Sequence, residues 1–440
     1  GLQSSDNPGL CDERVETRKH KAGNPMKPMK RLTDALFPGA KVFVAGMSGE
    51  PTRMFDELRA DPQRADGVQF MAVSFPGIGD GDYLGLHPGA RQSAFFMTPA
   101  LRQGLAQGRA HLLPMDYGAT VRHMREMPAP DLVITQLSPP DAQGWCSPGI
   151  CADFVPLVWQ RAARRVAQIN PAMPRTRGSF RVHVSELDQF VEAASALVVA
   201  PDAVPNAVEQ RIGAHVASLV RDGDTVQFGI GSVPVALAHS LAGHRRLRLH
   251  TGMVTDAVRV LWEAGALDRD ALIVNGFAIG SNDFYDFVAR NERIWMTDAS
   301  VTHDIVRIAA IENFVAVNSA VEVDLFGQVN SERTAGKIQA GAGGLPVFTT
   351  AALLSRGGRS MICMPATAKG GQLSRIVPVL GDAAICNVPR HLADVVVTEH
   401  GAAQLRHLTI EARAQALIAI AAPEHRAPLA AAWDAVQARL

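Results

Sequence analysis

The feature that most constrains the fold is an internal repeat with a spacing of 183 residues. Four pairs of identical residues share this spacing: Gly46 and Gly229, Pro51 and Pro234, Asp141 and Asp324, and Gly144 and Gly327. Four coincidences at one offset are poorly explained by chance, and a fixed internal spacing indicates a duplicated structural unit. The sequence therefore predicts two copies of one fold.

Each copy shows the same order of local patterns. An apolar strand, KVFVA or DTVQF, precedes a glycine turn and a helix that begins near Pro51 or Pro234. A later apolar strand in each copy ends in a D-x-x-G turn. Strands that alternate with helices indicate an open, mainly parallel α/β sheet. We therefore expect an α/β protein with two similar open α/β domains.

The boundary between the copies is predicted near the segment VAPDAVPN. Two prolines and an asparagine interrupt the periodicity there, just before a helical pattern begins. Residues 1–30 are polar and without periodicity, which is typical of a tail. The predicted organisation is a tail at 1–30, an N-terminal domain at 31–204 and a C-terminal domain at 205–440.

Charge and hydropathy argue against several kinds of partner. The 440 residues include 43 Lys plus Arg and 43 Asp plus Glu, so no overall field attracts nucleic acid or an anionic membrane. No run approaches the roughly 18 apolar residues of a membrane helix, and the N-terminus lacks the apolar core of a signal peptide. We expect a cytoplasmic protein that binds neither nucleic acid nor membrane.

The cysteines and histidines show no metal-site spacing. The five cysteines are odd in number and form no C-x-x-C or Cys/His pattern, so neither a disulfide framework nor a zinc site is expected. The 14 histidines are scattered without an H-E-x-x-H motif. We interpret His250 and His303 as hydrogen-bonded structural residues. The cysteines are Cys11, Cys146, Cys151, Cys363 and Cys386.

Glu322 is the candidate catalytic group that the residues themselves suggest. The apolar run from Phe314 to Leu325 is predicted to be one strand that stops at Gly327, with Glu322 inside it. Withdrawing a carboxylate from water is unfavourable unless the group is paired or hydrogen-bonded, so a function is the natural explanation. The alternative is that strand alternation turns Glu322 toward solvent. The repeat places Pro139 opposite Glu322, so only the second copy has this carboxylate.

Two glycine-rich loops could approach a ligand closely. Gly229-Ile230-Gly231 follows a strand and precedes a helix, but Pro234 replaces the third glycine of a dinucleotide fingerprint, so a packing turn is an equal alternative. In the loop Ala340 to Gly344, three glycines in four positions allow a backbone to approach a ligand, and a flexible loop is the alternative.

From about Arg31 onward, the chain resembles the acetyl-CoA hydrolase/transferase family, which includes 4-hydroxybutyrate and succinyl-CoA:acetate CoA-transferases. Five motifs that occur in order over both halves carry the resemblance: SPPDAQGWCSPG, NPAMPRTRG, HVSELD, NSAVEVDLFGQVNSE and VVTEHGAAQLR. The resemblance implies a pair of CoA-transferase (NagB/RpiA-like) α/β domains, an acyl-CoA and a short-chain carboxylic acid as substrates, no permanently bound cofactor, and a homo-oligomer.

The resemblance also implies roles for particular residues. Glu322 matches the catalytic glutamate and would form a glutamyl-CoA thioester. Gly401 would present its backbone N–H to an oxyanion. CoA would be met by the segment around Ala299, Ser300, Val301 and His303, and by the loop glycines Gly341, Gly343 and Gly344.

The sequence departs from the family pattern at two places. Where the family commonly has G-G-Q-x-D-F, the chain has Gly343 to Phe348 without the Gln and the Asp, and the family's H-S-E or H-T-E element is His250-Thr251-Gly252. Two carboxylates of the family pattern are therefore absent, and a second carboxylate on the acid substrate would meet less repulsion. We expect succinate or itaconate to be accepted, with 4-hydroxybutyrate as the second choice. An acyl-CoA hydrolase and an effector sensor are the alternative functions.

Overall fold

A computed structural model describes residues 27–200 and 203–439. The expectations for residues 1–26, including Cys11, and for residues 201–202 in the predicted boundary segment lie outside the described residues. The predicted domain limits at 204 and 205 remain a prediction.

The N-terminal part alternates strands with helices. Its strands are β1 (Lys27–Pro28), β2 (Lys41–Val44), β3 (Gln69–Met71), β4 (Arg91–Ala94), β5 (Ala110–Leu112), β6 (Leu132–Leu137), β7 (Trp145–Cys146), β8 (Arg164–Ile169), β9 (Arg177–Gly178), β10 (Val182–His183) and β11 (Gln189–Glu192). Its helices are α1 (Thr52–Ala60), α2 (Pro99–Ala106), α3 (Tyr117–Glu126) and α4 (Val155–Trp159).

The C-terminal part follows the same plan with more short strands. Its strands are β12 (Thr225–Phe228), β13 (Arg248–Leu249), β14 (Met253–Val254), β15 (Ile273–Asn275), β16 (Phe277–Ala278), β17 (Ile294–Met296), β18 (Phe314–Ser319), β19 (Glu322–Asp324), β20 (Val329–Asn330), β21 (Arg333–Thr334), β22 (Lys337–Ile338), β23 (Arg359–Cys363), β24 (Thr367–Ala368), β25 (Leu373–Ser374), β26 (Ile376–Val377), β27 (Val395–Thr398) and β28 (Gly401–Gln404). Its helices are α5 (Ala207–Ala217), α6 (Ser232–Leu241), α7 (Asp256–Glu263), α8 (Asn282–Arg290), α9 (Ala299–Thr302), α10 (Ile305–Ala309), α11 (Leu345–Leu354), α12 (Ile410–Ala419) and α13 (Pro423–Gln437).

Two large sheets show that the predicted duplication is real. The first has the order β1-β11-β8-β6-β2-β3-β4-β5, and the second has the order β13-β12-β18-β23-β27-β28. Neighbours are parallel throughout the first sheet, and in the second only β27 and β28 are antiparallel. The run β11-β8-β6-β2-β3 matches the run β27-β23-β18-β12-β13. The expected pair of similar α/β units is therefore confirmed.

The duplication extends to the geometry of the D-x-x-G turns. Asp141 Oδ1 accepts hydrogen bonds from the N–H groups of residues 143 and 145, and Asp324 Oδ1 accepts them from residues 326 and 328. Gly144 and Gly327 both have positive φ, 85° and 91°, which favours glycine. The repeat therefore preserves a turn that is capped by a carboxylate, once after β6 and once after β19.

The prediction of one strand from Phe314 to Leu325 is wrong. Strand β18 ends at Ser319 and is separated from β19, which lies in a small sheet between β20 and β26. Strand β18 pairs with β12 as far as Val317 and with β23 as far as Ser319. Because the sheet offers no ladder beyond Ser319, the chain turns away before Glu322.

Apolar side chains cover both faces of the sheets. All six residues of β6 are buried, as is typical of a central parallel strand with helices on both faces. Across the described residues, no helix is long and apolar enough to cross a membrane.

Candidate active site

The carboxyl ends of four parallel strands form one edge of the second sheet. Strands β12, β18, β23 and β27 are hydrogen-bonded in that order, and each leads into a loop at this edge. In open α/β sheets, ligands bind in the crevice outside the carboxyl ends of the strands. The predicted site is therefore expected at this edge.

A cavity of about 260 Å³ lies at this edge, between the two α/β units. We call it the glycine-loop cavity. Phe75, Pro76, Phe96 and Tyr117 of the first unit line one side. The second unit contributes the loop Ala340 to Gly344 and further residues, both apolar and neutral polar. They are Gln227, Phe228, Gly229, Ile230, Thr251, Gly252, Met253, Phe277, His303, Asn318, Ser319, Ser331, Leu345 and Phe348. No Asp, Glu, Lys or Arg is among these lining residues.

The loop Ala340 to Gly344 is held against the first unit. Met97 N–H donates to Ala340 O (3.1 Å), and Tyr117 N–H donates to Gly343 O (3.0 Å). A Cβ on Gly341 would lie 2.4 Å from Phe95 O, so only glycine fits there. The predicted loop glycines therefore line the cavity, in a loop that is fixed by packing.

His303 stands between Gly252 and Gly344 in the cavity wall. A Cβ on Gly252 would lie 2.8 Å from His303 Cε1, and a Cβ on Gly344 would lie 2.7 Å from His303 Nε2. The ring packs on Tyr117 and Phe348, with centroids 4.1 and 4.6 Å away. The residues alone favoured a structural role for His303, and the resemblance placed it in the segment expected to meet CoA. Its position in the wall of this cavity was not predicted.

Burial keeps both histidines near the cavity neutral. Desolvation lowers the pKa of His303 to about 3 and the pKa of His250 to about 4. His250 Nε2 is 3.1 Å from Thr302 O, which confirms the predicted hydrogen-bonded role. His303 Nδ1 is 2.8 Å from Thr302 Oγ1.

Glu322 is half-buried and does not line the cavity. Its Oε1 accepts a hydrogen bond from Asn330 Nδ2 at 2.9 Å, and residues 322 and 330 are paired in adjacent antiparallel strands. Ser319 and Ser331, which do line the cavity, flank this pair in sequence. A carboxylate at position 252 would lie in the cavity wall, but this chain has Gly252 there.

The other predicted residues lie in two further places. Ser300 borders a separate cleft, Ala299 is buried at the start of α9, and Val301 is half-buried. Gly401 begins β28 after the tight β27–β28 turn, with φ 138°. The structure does not bring these four residues into the glycine-loop cavity, and their roles remain predictions.

The cleft beside Ser300 has a volume of about 570 Å³. We call it the α3 cleft, because α3 supplies much of its wall. The cleft is lined by two basic residues, Arg122 and Arg125, by three acidic residues, Asp116, Glu126 and Asp304, and by Val347, among others. The two changed positions of the G-G-Q-x-D-F element are thus separated, since Leu345 lines the cavity and Val347 lines the cleft.

The described residues contain no group of three or more His, Cys, Asp or Glu side chains that could hold a metal ion. Within the same part of the chain, Cys146, Cys151 and Cys363 are buried free thiols, and Cys386 is an exposed one.

The described chain thus consists of two similar α/β units, with an uncharged cavity at the carboxyl edge of the second sheet. Residues 280–433 match the acetyl-CoA hydrolase/transferase C-terminal domain. The chain is 34% identical over 397 residues to the 4-hydroxybutyrate coenzyme A transferase of Clostridium kluyveri, covering 89% of this chain and 92% of that one.

Solved structures agree with this similarity. RipA from Yersinia pestis superposes with a TM-score of 0.86 at 26% identity, covering 93% of this chain and 98% of RipA. A 4-hydroxybutyrate CoA-transferase from Porphyromonas gingivalis superposes with a TM-score of 0.77 at 29% identity, covering 93% and 97%. The chain belongs to the acetyl-CoA hydrolase/transferase family. It is an enzyme of the CoA-transferase type.

Proposed function

We propose that the enzyme moves CoA from an acyl-CoA donor to a short-chain carboxylic acid, with the acyl group bound in the glycine-loop cavity. The observation that carries this proposal is the cavity itself. It lies at the carboxyl edge of the strands and has the size of a small acyl group. The loop glycines, which the resemblance assigns to CoA, also line it.

We propose that the CoA moiety binds in the α3 cleft. Ser300, from the segment expected to meet CoA, borders this cleft, and the exposed guanidinium groups of Arg122 and Arg125 can bind phosphate oxygens there. Arg122→Ala should raise KM for acyl-CoA while leaving kcat nearly unchanged, and exposed Arg211→Ala on α5 is the matched control. An unchanged KM in Arg122→Ala would contradict the proposal that CoA binds in the α3 cleft.

Glu322 is proposed as the nucleophile. A carboxylate oxygen would attack the thioester carbon and expel CoA thiolate, giving a mixed anhydride. The thiolate would then attack the glutamyl carbonyl and release the first acid, which leaves a glutamyl-CoA thioester. The incoming acid reverses these two steps. One thioester replaces another, so no ATP is consumed.

This role requires a side-chain movement. The Glu322 carboxylate faces Asn330 and does not line the cavity, so attack there requires the side chain to exchange this hydrogen bond for a place in the cavity wall. The motif resemblance and the position beside the cavity residues Ser319 and Ser331 support the proposal.

Hydrolysis of acyl-CoA is the second candidate function. It is favoured by one observation, that no carboxylate is among the residues lining the cavity. Following thioester loss with and without an acceptor acid, with mass detection of the new acyl-CoA, separates the two. If the acyl-CoA thioester is consumed without an acceptor acid and no new acyl-CoA forms, the enzyme is a hydrolase and the proposed transfer is wrong.

For the acid, we propose succinate or itaconate first and 4-hydroxybutyrate second. A carboxylate at position 252 would repel a second carboxylate of the acid, by roughly 4 kcal/mol at about 4 Å and an effective dielectric near 20. In its place, the cavity offers neutral groups such as the Gln227 and Asn318 amides, which bond to each other. A cytoplasmic homo-oligomer is also proposed, and sedimentation tests the oligomer.

A further inference from the structure

Among the described residues, His303 is the one that lines both the glycine-loop cavity and the α3 cleft. If the acyl group occupies the cavity and CoA the cleft, the bond that joins them crosses the boundary between the two spaces. That bond is the thioester. The position of His303 therefore matters for the reacting atoms themselves.

The ring of His303 is fixed in this position. Tyr117 and Phe348 pack against it, and the missing side chains at Gly252 and Gly344 leave the space that it fills. A side chain at position 252 and the present orientation of His303 exclude each other. The glycine at 252 therefore leaves the room that the imidazole occupies in its present position.

The hydrogen bond to Thr302 assigns the ring proton. Thr302 is fully buried, and among the described residues its hydroxyl has only His303 Nδ1 as a partner. A buried hydroxyl donates where an acceptor is available, so we assign O–H as donor and Nδ1 as acceptor. Neutral imidazole has one ring proton, which then lies on Nε2, on the side of Gly344.

We infer that His303 Nε2–H donates a hydrogen bond to the thioester carbonyl oxygen of bound acyl-CoA and stabilises the negative charge that develops there. This inference rests on the proposed function, because it takes an acyl-CoA that spans the cleft and the cavity. His303 keeps its proton throughout and serves as a fixed donor. It is a catalytic residue that the motif comparison did not assign.

The first test measures rate and binding. His303→Phe keeps an aromatic ring between Tyr117 and Phe348 but removes the donor. Its kcat should fall by about 10²–10³-fold, as expected for loss of one oxyanion donor, while the Kd for free CoA stays the same. His303→Gln, which retains an N–H donor, should recover part of the rate. Exposed His111→Phe is the matched control.

The second test measures the carbonyl directly. The probe is the unreactive ketone analogue of acetyl-CoA, in which CH₂ replaces sulfur, labelled with ¹³C at the carbonyl. On binding to the wild-type enzyme, its C=O stretch should move to lower wavenumber, and His303→Phe should abolish this shift. Thr302→Val should reduce it, because Nδ1 loses the donor that fixes the tautomer.

The outcomes separate this inference from the proposed function. If the wild-type enzyme neither binds the ketone nor consumes acyl-CoA, the proposed function fails. If it does both, but His303→Phe retains the wild-type shift and kcat, the donor role of His303 is overturned. If His303→Phe does not fold, the Gln and Thr302→Val variants decide in the same way.

Discussion

The carboxylate of Glu322 is held by the side chain of Asn330, with Oε1 and Nδ2 2.9 Å apart. The two residues face each other in adjacent antiparallel strands, and Oε2 has no hydrogen-bond partner among the described residues. This pair defines the resting position of the proposed nucleophile, and it makes the role of Glu322 directly testable.

Glu322→Gln should abolish transfer while the protein still folds, because the amide can keep one hydrogen bond to Asn330 but cannot attack a thioester. In Glu322→Asp, kcat should fall on the order of a hundredfold, because the shorter side chain moves the carboxylate back by one methylene. Wild-type enzyme incubated with acyl-CoA should carry a CoA adduct on the peptide that contains Glu322, detected by mass spectrometry.

Glu332→Gln is the matched control for this change. Glu332 lies in the same segment, and its carboxylate accepts a hydrogen bond from Asn387. Near-normal turnover in Glu322→Gln, or a CoA adduct on another peptide, would show that Glu322 is not the nucleophile.

Leu345→Gln and Val347→Asp should have different effects, because the two side chains line different spaces. Leu345→Gln should change the ranking of acids in kcat/KM across acetate, butyrate, 4-hydroxybutyrate, succinate and itaconate. Val347→Asp should chiefly lower the free energy of unfolding, measured by urea denaturation, because Val347 is buried in an apolar cluster and the new carboxylate would be withdrawn from water. A ranking that puts plain monocarboxylates above both dicarboxylates would refute the proposed acid preference.

Gly341→Ala should destabilise the protein by about 1–3 kcal/mol, because its Cβ would lie 2.4 Å from the Phe95 carbonyl oxygen and the loop would have to move. Gly243→Ala is the control, with nothing within 4 Å of the added Cβ. Urea denaturation gives the stability of each variant. Equal urea midpoints for Gly341→Ala and Gly243→Ala would show that the loop is not fixed by the contact with Phe95.

Glu50→Gln should remove one pH-dependent contribution to the free energy of unfolding. Burial raises the pKa of Glu50 from 4.5 to about 7, and its carboxyl accepts from Gly81 N–H. The folded state therefore binds this proton more tightly, and the stabilising contribution of Glu50 falls by about 1.4 kcal/mol per pH unit as pH rises from 4.5 to about 7. The variant, compared by urea denaturation across this range, should lack this contribution. Parallel curves would contradict the raised pKa.

Single replacement of Cys146, Cys151, Cys363 or Cys386 by Ser or Ala should leave the chemical step intact, apart from packing losses at the three buried positions. Treatment with a chelator should leave kcat unchanged. Loss of chemistry in a folded variant, or after chelation, would require a different mechanism from carboxylate attack.

The sequence by itself determined the duplicated α/β architecture. The spacing between Asp141 and Asp324 marks two turns with the same hydrogen bonds, and this local geometry depends on residues close together in the chain. The glycines of the loop Ala340 to Gly344 were also recognisable, since their lack of a side chain is a property of the residue.

Only the tertiary structure decided which residues share the cavity. Alternation along the chain suggested one strand through Glu322, but strand length depends on the neighbouring strands, whose pairing ends at Ser319. His303 meets Gly252 and Gly344 across distances of 51 and 41 positions in the chain, so no local pattern reports the contact. The sequence specifies the elements, whereas the site depends on how the two units pack against each other.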